Sequence, residues 1–168
     1  MKFKVVATGG TFDHIHAGHE ALLSRSFEAG DKVIIGVTSD TFAVREGKKP
    51  DQSYAQRVAA LRRLIRRAFP GRKYVVAKLD DYFGPGIASP DVEAIVVSNE
   101  TAKRVPIANS LRYEKGYPPL KVVVVDYVLA FDSAPISSTR IRRGEIDRLG
   151  NPQPRQRAVM RRTKSRKG

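Results

Sequence analysis

Short apolar runs alternate with segments of helical periodicity over most of the chain. Runs rich in Val and Ile predict five strands, at residues 3–7, 32–38, 73–79, 94–98 and 121–125. Their nearly continuous apolar content is typical of strands covered on both faces, as in a parallel sheet. The segments between them predict helices at residues 18–29, 54–69 and 100–115.

The second of these helices has the clearest signals. Ser53-x-x-Gln56 is a capping box at its start, and Pro70 stops it. An apolar stripe follows, made of Val58, Leu61, Leu64, Ile65 and Ala68. We expect the arginines of the helix on its solvated side, and these are Arg57, Arg62, Arg63, Arg66 and Arg67.

The alternation of strand and helix predicts a single α/β domain over residues 1–150, with a doubly wound, Rossmann-like, five-stranded parallel sheet. At 168 residues the chain has room for one such domain. Sheets of this kind bind ligands beyond the carboxyl ends of their strands. The loops of interest are therefore 8–17, 39–53, 80–93, 98–103 and 126–138.

The C-terminal end of the chain is strongly basic. The formal net charge is +14, and residues 151–168 carry seven basic side chains and no acidic ones. We expect this tail to be mobile or loosely helical, dispensable for folding, and attractive to polyanions. The excess on residues 1–150 indicates an anionic ligand. The chain has no cysteine, signal-like segment or membrane-length apolar run, so we expect a cytoplasmic protein.

The loop after the first strand, residues 8–19, combines tandem glycines with three histidines. Gly9 and Gly10 predict a sharp turn and a close approach of the backbone to a ligand. The helix that follows offers unpaired N–H groups and the positive end of its dipole, which favour phosphate. His16 and His19 stand three apart at the helix start, so both can donate to phosphoryl oxygens at one site.

The histidines allow two other interpretations. The spacing His14-x-His16-x-x-His19 could bind a transition metal, although no cysteine or well-spaced carboxylate completes the ligand set. One of the three could instead be a core histidine. We expect a structural role for His14 and no resident metal.

A second group of polar residues comes about 120 residues later and contains Ser137, Ser138, Thr139 and Arg142. Serines before a short helical segment are N-cap residues, so capping is one interpretation. The hydroxyls, the cap N–H groups and an arginine one turn on also form an anion site. Two anion sites near opposite ends of one chain predict a polyphosphate ligand.

A third candidate is the basic turn after the second strand, residues 45–50. At the carboxyl edge of the sheet, Lys48 or Lys49 could reach phosphates held by the first loop. A solvated turn is the alternative, and the sequence does not choose between the two lysines.

These motifs are Thr11-Phe12-Asp13 leading to His16-x-Gly18-His19, and Ile136-Ser137-Ser138-Thr139-x-Ile141-Arg142. Together and in this order they resemble the nucleotidylyltransferase superfamily, which shares its first signature with class I aminoacyl-tRNA synthetases. Within it, the segment Val97-Ser98-x-Glu100-Thr101 and Asn109 resemble the archaeal phosphopantetheine adenylyltransferase family. The resemblance covers about residues 2–150 and leaves the tail without an explanation.

The resemblance implies transfer of AMP from ATP to 4′-phosphopantetheine, giving dephospho-coenzyme A and pyrophosphate, with Mg²⁺ accompanying the ATP. Thr11, His19 and Lys48 or Lys49 would be the catalytic residues. The implied ATP and phosphate contacts are Gly9, Gly10, Thr11, His16, Gly18, His19, Ser137, Ser138, Thr139 and Arg142. The candidate acceptor contacts are Lys48, Lys49, Asp13 and Tyr82. The residues that would contact adenine are not assigned.

Two other functions remain open on the sequence. A sister nucleotidylyltransferase would use another acceptor, such as nicotinamide mononucleotide or the acceptor of FMN synthesis, or a cytidylyl donor in place of ATP. A basic nucleic-acid-binding protein would explain the high charge but not the two phosphate motifs.

Overall fold

The computed structural model describes residues 2–165. Within this range the elements are, in chain order, β1 (Phe3–Gly10), α1 (Ala17–Ala29), β2 (Gly30–Thr38), α2 (Asp40–Arg45), α3 (Tyr54–Ala68), β3 (Lys73–Leu79), α4 (Pro85–Ala88), β4 (Ala94–Ser98), α5 (Asn99–Ala102), α6 (Val105–Glu114), β5 (Lys121–Val125), α7 (Ser138–Arg142) and α8 (Pro154–Ser165). None of the described helices is both long enough and apolar enough to span a membrane.

The strands form one parallel sheet with the order β3-β2-β1-β4-β5. The predicted α/β fold with five parallel strands is confirmed. The chain crosses from one half of the sheet to the other between β1 and β4, and a crevice opens at the carboxyl ends of the strands at such a point. The loops expected to carry function all leave from this edge.

Two apolar layers cover the sheet. On one face Phe27, Leu61 and Ile65 from α1 and α3 pack against β1, β2 and β4. On the other face Val105 and Ile87 pack against the ends of β1 and β4. The expectation that every strand is covered on both faces is wrong for the two edge strands, where Val75 of β3 and Val122 and Val124 of β5 are exposed.

The predicted helix over residues 100–115 is broken in the structure. A short α5 ends at Ala102, and α6 begins at Val105 with Pro106 in its first turn. Proline has no N–H and fits the first turn of a helix but not its interior. The break therefore follows from Pro106, and it leaves Lys103 and Arg104 in the turn between the two helices.

The prediction that the α3 arginines face solvent is wrong for Arg57, which is fully buried. Its guanidinium donates to the carbonyls of Thr11 at 2.6 Å, Thr38 at 2.8 Å and Gln52 at 3.2 Å, and to the Asp40 carboxylate at 2.9 Å. Arg62, Arg63, Arg66 and Arg67 are exposed, as predicted. Arg57 instead ties the ends of β1 and β2 to the start of α3.

The C-terminal segment begins within the hydrogen-bonded body of the protein. Gln153 N–H donates to Glu145 O, and Asn151 donates to the Asp147 carboxylate through its backbone and its side chain. The helix α8 starts just after these contacts. The prediction of a loosely helical tail agrees with α8, whereas the mobility of the tail stays a prediction. Arg166 and Lys167 lie outside the described residues.

Candidate functional site

The loop after β1 turns at Phe12 and His14 and not at its two glycines. Gly9 and Gly10 continue β1 and pair with β2, so the predicted sharp turn is not at the tandem glycines. The left-handed backbone conformations are those of Phe12, at φ 56°, and His14, at φ 47°. Such values are strained for residues with side chains and cluster at functional sites. Burial of the Phe12 ring in the core offsets part of this cost.

The two histidines at the start of α1 form a capping box. The His16 Nδ1 accepts a hydrogen bond from Gly18 N–H at 3.0 Å, and the His19 Nδ1 accepts one from His16 N–H at 3.2 Å. The rings stack with their centroids 3.8 Å apart. Because each Nδ1 accepts, each neutral ring carries its proton on Nε2. Both side chains are therefore N–H donors.

Both rings are held in the neutral form. Burial lowers the pKa of His16 from 6.5 to about 4, and the neighbouring His14 adds to this shift. Burial also lowers the pKa of His19 well below 6.5, with smaller contributions from His16 and Lys48. Near pH 7 the two histidines offer hydrogen bonds without charge.

Gly18 is required by the His16 ring. A Cβ placed on Gly18 would lie 2.8 Å from the His16 Cε1, which is closer than side-chain atoms approach. Any larger residue would push the ring away from its cap position. The glycine of this motif thus serves close packing rather than an unusual backbone angle.

Asp13 joins the two sequence motifs. Its buried carboxylate accepts hydrogen bonds from the backbone N–H groups of Asp51 and Gln52, both at 3.1 Å, and from Arg142 Nη1 at 2.8 Å. The Ser138 hydroxyl donates to the Asp13 carbonyl. Residues that are 125 positions or more apart in sequence are thereby held in contact.

The helix α7 presents its N-terminus and its arginine to the first loop. Ser137 caps it by accepting from Arg140 N–H at 3.3 Å, so the capping interpretation is correct for this serine. Thr139 Oγ1 accepts from Arg142 Nη2 at 3.2 Å, which orients the guanidinium. We name the group formed by His16, His19, Ser137, Ser138 and Arg142 the anion cradle.

Next to the cradle lies a cavity of about 460 Å³, which we name the central pocket. Its floor is the carboxyl ends of β1 to β4, and its walls come from α4 and α6. The floor is open because glycines lie there: a Cβ on Gly36 would come within 2.6 Å of the Leu79 side chain. Most lining groups are apolar, and none of the lining residues is acidic.

Thr11 stands where the pocket meets the first loop. Its hydroxyl oxygen is buried and is the one side-chain N or O atom among the described residues that is buried without a hydrogen-bond partner. The residue lines the central pocket, and Arg57 holds its carbonyl. Burying an unpaired hydroxyl costs stability, so its retention indicates a partner that arrives with a ligand.

The two candidate lysines are placed differently. Lys48 lines the central pocket, and its charge acts on His19. Lys49 is not among the lining residues. Gly47, at φ 72°, ends α2 in the left-handed conformation and brings Lys48 N–H to the Ala43 carbonyl at 2.9 Å. Tyr82 also lines the pocket, whereas the Asp13 carboxylate is already engaged.

Sequence reasoning missed two buried arginines that hold the pocket walls. Arg57 fixes Thr11, and Arg112 donates to the carbonyls of Ile87 and Ser89 in and after α4 and to Val92. Burial lowers the pKa of Arg112. A signal was present, because each arginine continues the apolar stripe of its own helix at a spacing of four or seven residues.

The three histidines do not share one ligand set in the described part of the chain. The group with metal-binding geometry there is Asp13, His14 and Asp51. His14 Nε2 lies 2.6 Å from the Asp51 carboxylate, and Asp13 already accepts from Arg142. The contact with Asp51 agrees with a structural role for His14.

A parallel sheet with an N–H-rich loop after β1 and a cationic helix after β5 places groups that suit phosphate at the carboxyl edge of the sheet, where sheets of this kind bind nucleotides. The family model described as cytidylyltransferase-like matches residues 7–144. This match spans both sequence motifs and the whole central pocket.

Relatives narrow the family further. A phosphopantetheine adenylyltransferase of Methanopyrus kandleri is 42% identical over 146 residues, covering 87% of this chain and 92% of that protein. One of Methanothermobacter thermautotrophicus is 42% identical over 161 residues and 96% of each chain. The chain therefore belongs to the cytidylyltransferase-like family, and within it to the family of the archaeal phosphopantetheine adenylyltransferases.

A solved structure from Archaeoglobus fulgidus, described as a protein with unknown function, has the same fold. The TM-score is 0.66 and the identity 29%, over 80% of this chain and 100% of that one. The likeness of fold extends to proteins far from this family in sequence, such as a tyrosyl-tRNA synthetase of the same organism at 14% identity and a TM-score of 0.59.

Proposed function

We propose that the protein transfers AMP from MgATP to 4′-phosphopantetheine, forming dephospho-coenzyme A and pyrophosphate in coenzyme A biosynthesis. The observation that carries the proposal is the unpartnered Thr11 hydroxyl between the anion cradle and the central pocket. A phosphate at that point can be reached from a nucleotide on one side and from an acceptor on the other. The names of the archaeal relatives support the choice of acceptor.

The reaction needs alignment and charge stabilisation. An acceptor phosphate is already ionised near pH 7, so its oxygen can attack the α-phosphorus without a general base. The bond between the α-phosphorus and the oxygen that bridges it to the β-phosphate breaks, and pyrophosphate leaves with the electron pair of that bond. Catalysis then depends on donors aimed at the equatorial oxygens and on an in-line approach.

The neutral histidines suit this task. In our proposal His19 and Thr11 donate to the α-phosphate, whose charge shifts in the transition state, and His16 donates to the triphosphate. Because the pKa of each ring is lowered, both histidines stay neutral and donate hydrogen bonds through Nε2–H without taking up a second proton. Lys48 bridges the acceptor phosphate and the α-phosphate from the pocket side.

The helix α7 holds the leaving group. Ser137, Ser138 and Arg142 bind the β- and γ-phosphates, which the helix N-terminus also favours. Thr139 and Asp13 act through Arg142 by fixing its guanidinium. The backbone of Gly9 and Gly10 lets the nucleotide approach, and Gly18 leaves room for the His16 ring.

Mg²⁺ belongs to the substrate in this scheme. The five residues of the cradle offer N–H and hydroxyl donors and an arginine but no carboxylate, the protein group through which Mg²⁺ is usually bound. The nearby Asp13 carboxylate is occupied by Arg142 and two backbone N–H groups. We therefore expect the triphosphate and water molecules to bind the ion, which neutralises part of the phosphate charge.

A substrate panel tests the proposal. The protein with MgATP should release pyrophosphate when 4′-phosphopantetheine is added, and dephospho-coenzyme A should accumulate in equal amount. Nicotinamide mononucleotide, riboflavin 5′-phosphate and CTP as donor serve as the comparison. Faster turnover with any of these than with ATP and 4′-phosphopantetheine would contradict the proposed acceptor or donor.

We also propose that the basic C-terminal surface binds nucleic-acid phosphates. A cleft of about 890 Å³ at the start of α8 is lined by Arg142, Arg143, Arg148 and Arg155. The apolar residues of α8 are consecutive in sequence, at 158–160, and form no stripe of the kind that a membrane-surface helix needs.

A charge-matched comparison tests this surface. Replacing Arg155, Arg157 and Arg161 by Gln should weaken binding of a labelled single-stranded RNA and flatten its dependence on salt. Replacing the exposed Arg62, Arg63 and Arg66 of α3 removes the same charge and should change the binding much less. Equal losses would show an effect of net charge alone and contradict a specific surface.

A further inference from the structure

Arg104 is the basic residue of the central pocket that the proposed mechanism has not used. It lies in the turn between α5 and α6 and lines the pocket together with Lys48. These two are the cationic residues among those lining the pocket, where no acidic residue is present. An apolar pocket with two cations suits a ligand that has an apolar body and a dianionic head.

The side chain of Arg104 extends across the mouth of the pocket. Its Cζ lies 4.1 Å from the centre of the Tyr82 ring, which follows β3. Its Nη1 lies 3.7 Å from the carboxylate of Glu46, which follows α2. Arg104 itself follows β4, so the guanidinium spans from one half of the sheet to the other, above the ends of β1 and β2.

The aromatic ring holds the guanidinium without using its donors. Tyr82 packs edge-on against Phe42, with the ring centres 5.0 Å apart. A guanidinium stacked on an aromatic face is attracted by the ring and keeps its N–H groups free in the plane. The ion pair with Glu46 is longer than a hydrogen bond and half exposed, so it binds the arginine weakly.

The other arginines near the pocket are fully engaged. Arg57 donates five hydrogen bonds and Arg112 four, all to neighbouring protein groups. In the described part of the chain, the side chain of Arg104 makes the contacts with Tyr82 and Glu46 and no hydrogen bond. Its donors are available to a ligand, whereas those of Arg57 and Arg112 are not.

Glu46 places Arg104 beside Lys48. Glu46 and Lys48 belong to one turn, closed by the hydrogen bond from Lys48 N–H to the Ala43 carbonyl. The guanidinium that pairs with Glu46 is therefore at the same end of the pocket as Lys48. A phosphate next to Lys48 can take the place of the Glu46 carboxylate on Arg104.

We infer that Arg104 is an acceptor-binding residue that, together with Lys48, holds the phosphate of a phosphorylated acceptor in the central pocket. This inference rests on the proposed function. Bidentate pairing of arginine with phosphate gives both charge and orientation. Arg104 therefore distinguishes a phosphorylated acceptor from the same molecule without its phosphate, and Tyr82 fixes the position of the guanidinium.

Calorimetric binding of 4′-phosphopantetheine and of pantetheine tests the inference. Arg104→Met should weaken the affinity for 4′-phosphopantetheine about 10- to 100-fold, as for a lost hydrogen bond to a charged group. Its affinity for pantetheine should change less than about twofold, because the stem of the side chain is kept. Lys103→Met removes a neighbouring exposed cation that does not line the pocket and should change neither affinity.

A second variant tests the same contact in the opposite direction. Glu46→Gln removes the competing carboxylate and should strengthen binding of 4′-phosphopantetheine by up to about fivefold, the value of an exposed ion pair. Unchanged melting temperature and unchanged ATP affinity would show that both variants fold normally.

The outcomes separate the two proposals. If wild-type protein forms no dephospho-coenzyme A, the proposed function fails, and the role of Arg104 fails with it. If the wild type turns over but Arg104→Met binds 4′-phosphopantetheine normally, the role of Arg104 alone is contradicted. An equal loss of affinity for both ligands would show that Arg104 only covers the pocket, and would overturn its role in phosphate recognition.

Discussion

The anion cradle and the central pocket lie side by side and are organised in different ways. In the cradle, polar groups are bonded to one another: His19 to His16, Arg142 to Asp13 and Thr139. In the pocket, Thr11 and Arg104 have no hydrogen-bond partner for their side chains within the described residues. The polar groups of the cradle are therefore already held in place, whereas Thr11 and Arg104 of the pocket have donors left for bound ligands.

The largest effect is expected at the cradle, from His19→Ala. A pre-organised donor to charge that develops in the transition state contributes about 10²–10³ in rate. Turnover should fall by that factor, while ATP binding should weaken much less. Steady-state kinetics and nucleotide titration check this, with His14→Ala, outside the cradle, as the comparison. A similar loss in both variants would contradict the distinct role of His19.

Arg142→Ala should affect ATP binding more than turnover, which is the reverse of the effect expected for His19→Ala. In our proposal its guanidinium contacts phosphates that are charged before the reaction begins, so ATP affinity should fall about 10- to 100-fold. Arg143→Ala removes the adjacent arginine, whose side chain is 69% exposed, and should leave ATP affinity nearly unchanged. If the two substitutions weakened ATP binding equally, the cradle would not include Arg142.

Thr11→Val separates stability from activity on the pocket side. The Thr11 hydroxyl is buried without a partner, so replacing it with a methyl group should raise the free energy of unfolding by about 1 kcal/mol. Turnover should nevertheless fall about tenfold, because one hydrogen bond to the transferred phosphate is lost. Thr11→Ser keeps the hydroxyl and should keep most activity. A Thr11→Val protein that is both less stable and fully active would contradict the proposal that the Thr11 hydroxyl donates to a phosphate of the substrate.

A separate effect is a dependence of stability on pH that the cradle should impose. The pKa of His16 is about 4 in the folded protein, below its ordinary value of 6.5, so the unfolded chain binds more protons between pH 4 and 6.5. Stability is therefore fully present above pH 6.5 and decreases as the pH falls towards 4, by up to about 3 kcal/mol.

His16→Asn gives the control for this pH effect. Asparagine keeps an oxygen that caps α1 but does not titrate. Melting temperatures from pH 7.5 down to 4 should fall less steeply in this variant than in the wild type. Parallel curves would show that His16 does not cause the acid sensitivity.

The sequence indicated the residues of the cradle because the signals of its two motifs are local. The spacing of His16 and His19 and the serine N-cap can be recognised in the sequence, and a parallel sheet places the loops that follow its strands at one edge. It located the strands, with β1 extended by three residues through Gly10. It placed the turn of the first loop at the glycines, because nothing in the sequence marks Phe12 and His14 as left-handed.

The pocket was harder to predict because it is assembled from many separate segments. Residues Thr11, Lys48, Tyr82 and Arg104 come from four different loops, and only packing brings them together. The choice between Lys48 and Lys49 depends on a turn at Gly47 that the sequence left open. The burial of Arg57 went against the usual place of arginine, although its helical spacing gave a signal.

The most direct test of the account is isotope exchange between labelled pyrophosphate and ATP. If the cradle and the pocket act together on one direct transfer, exchange should require 4′-phosphopantetheine, and ATP alone should give none. The label in ATP should then rise with acceptor concentration, with no AMP attached to the protein. Exchange with ATP alone, together with adenylylated protein after denaturation, would show a covalent intermediate and contradict the account.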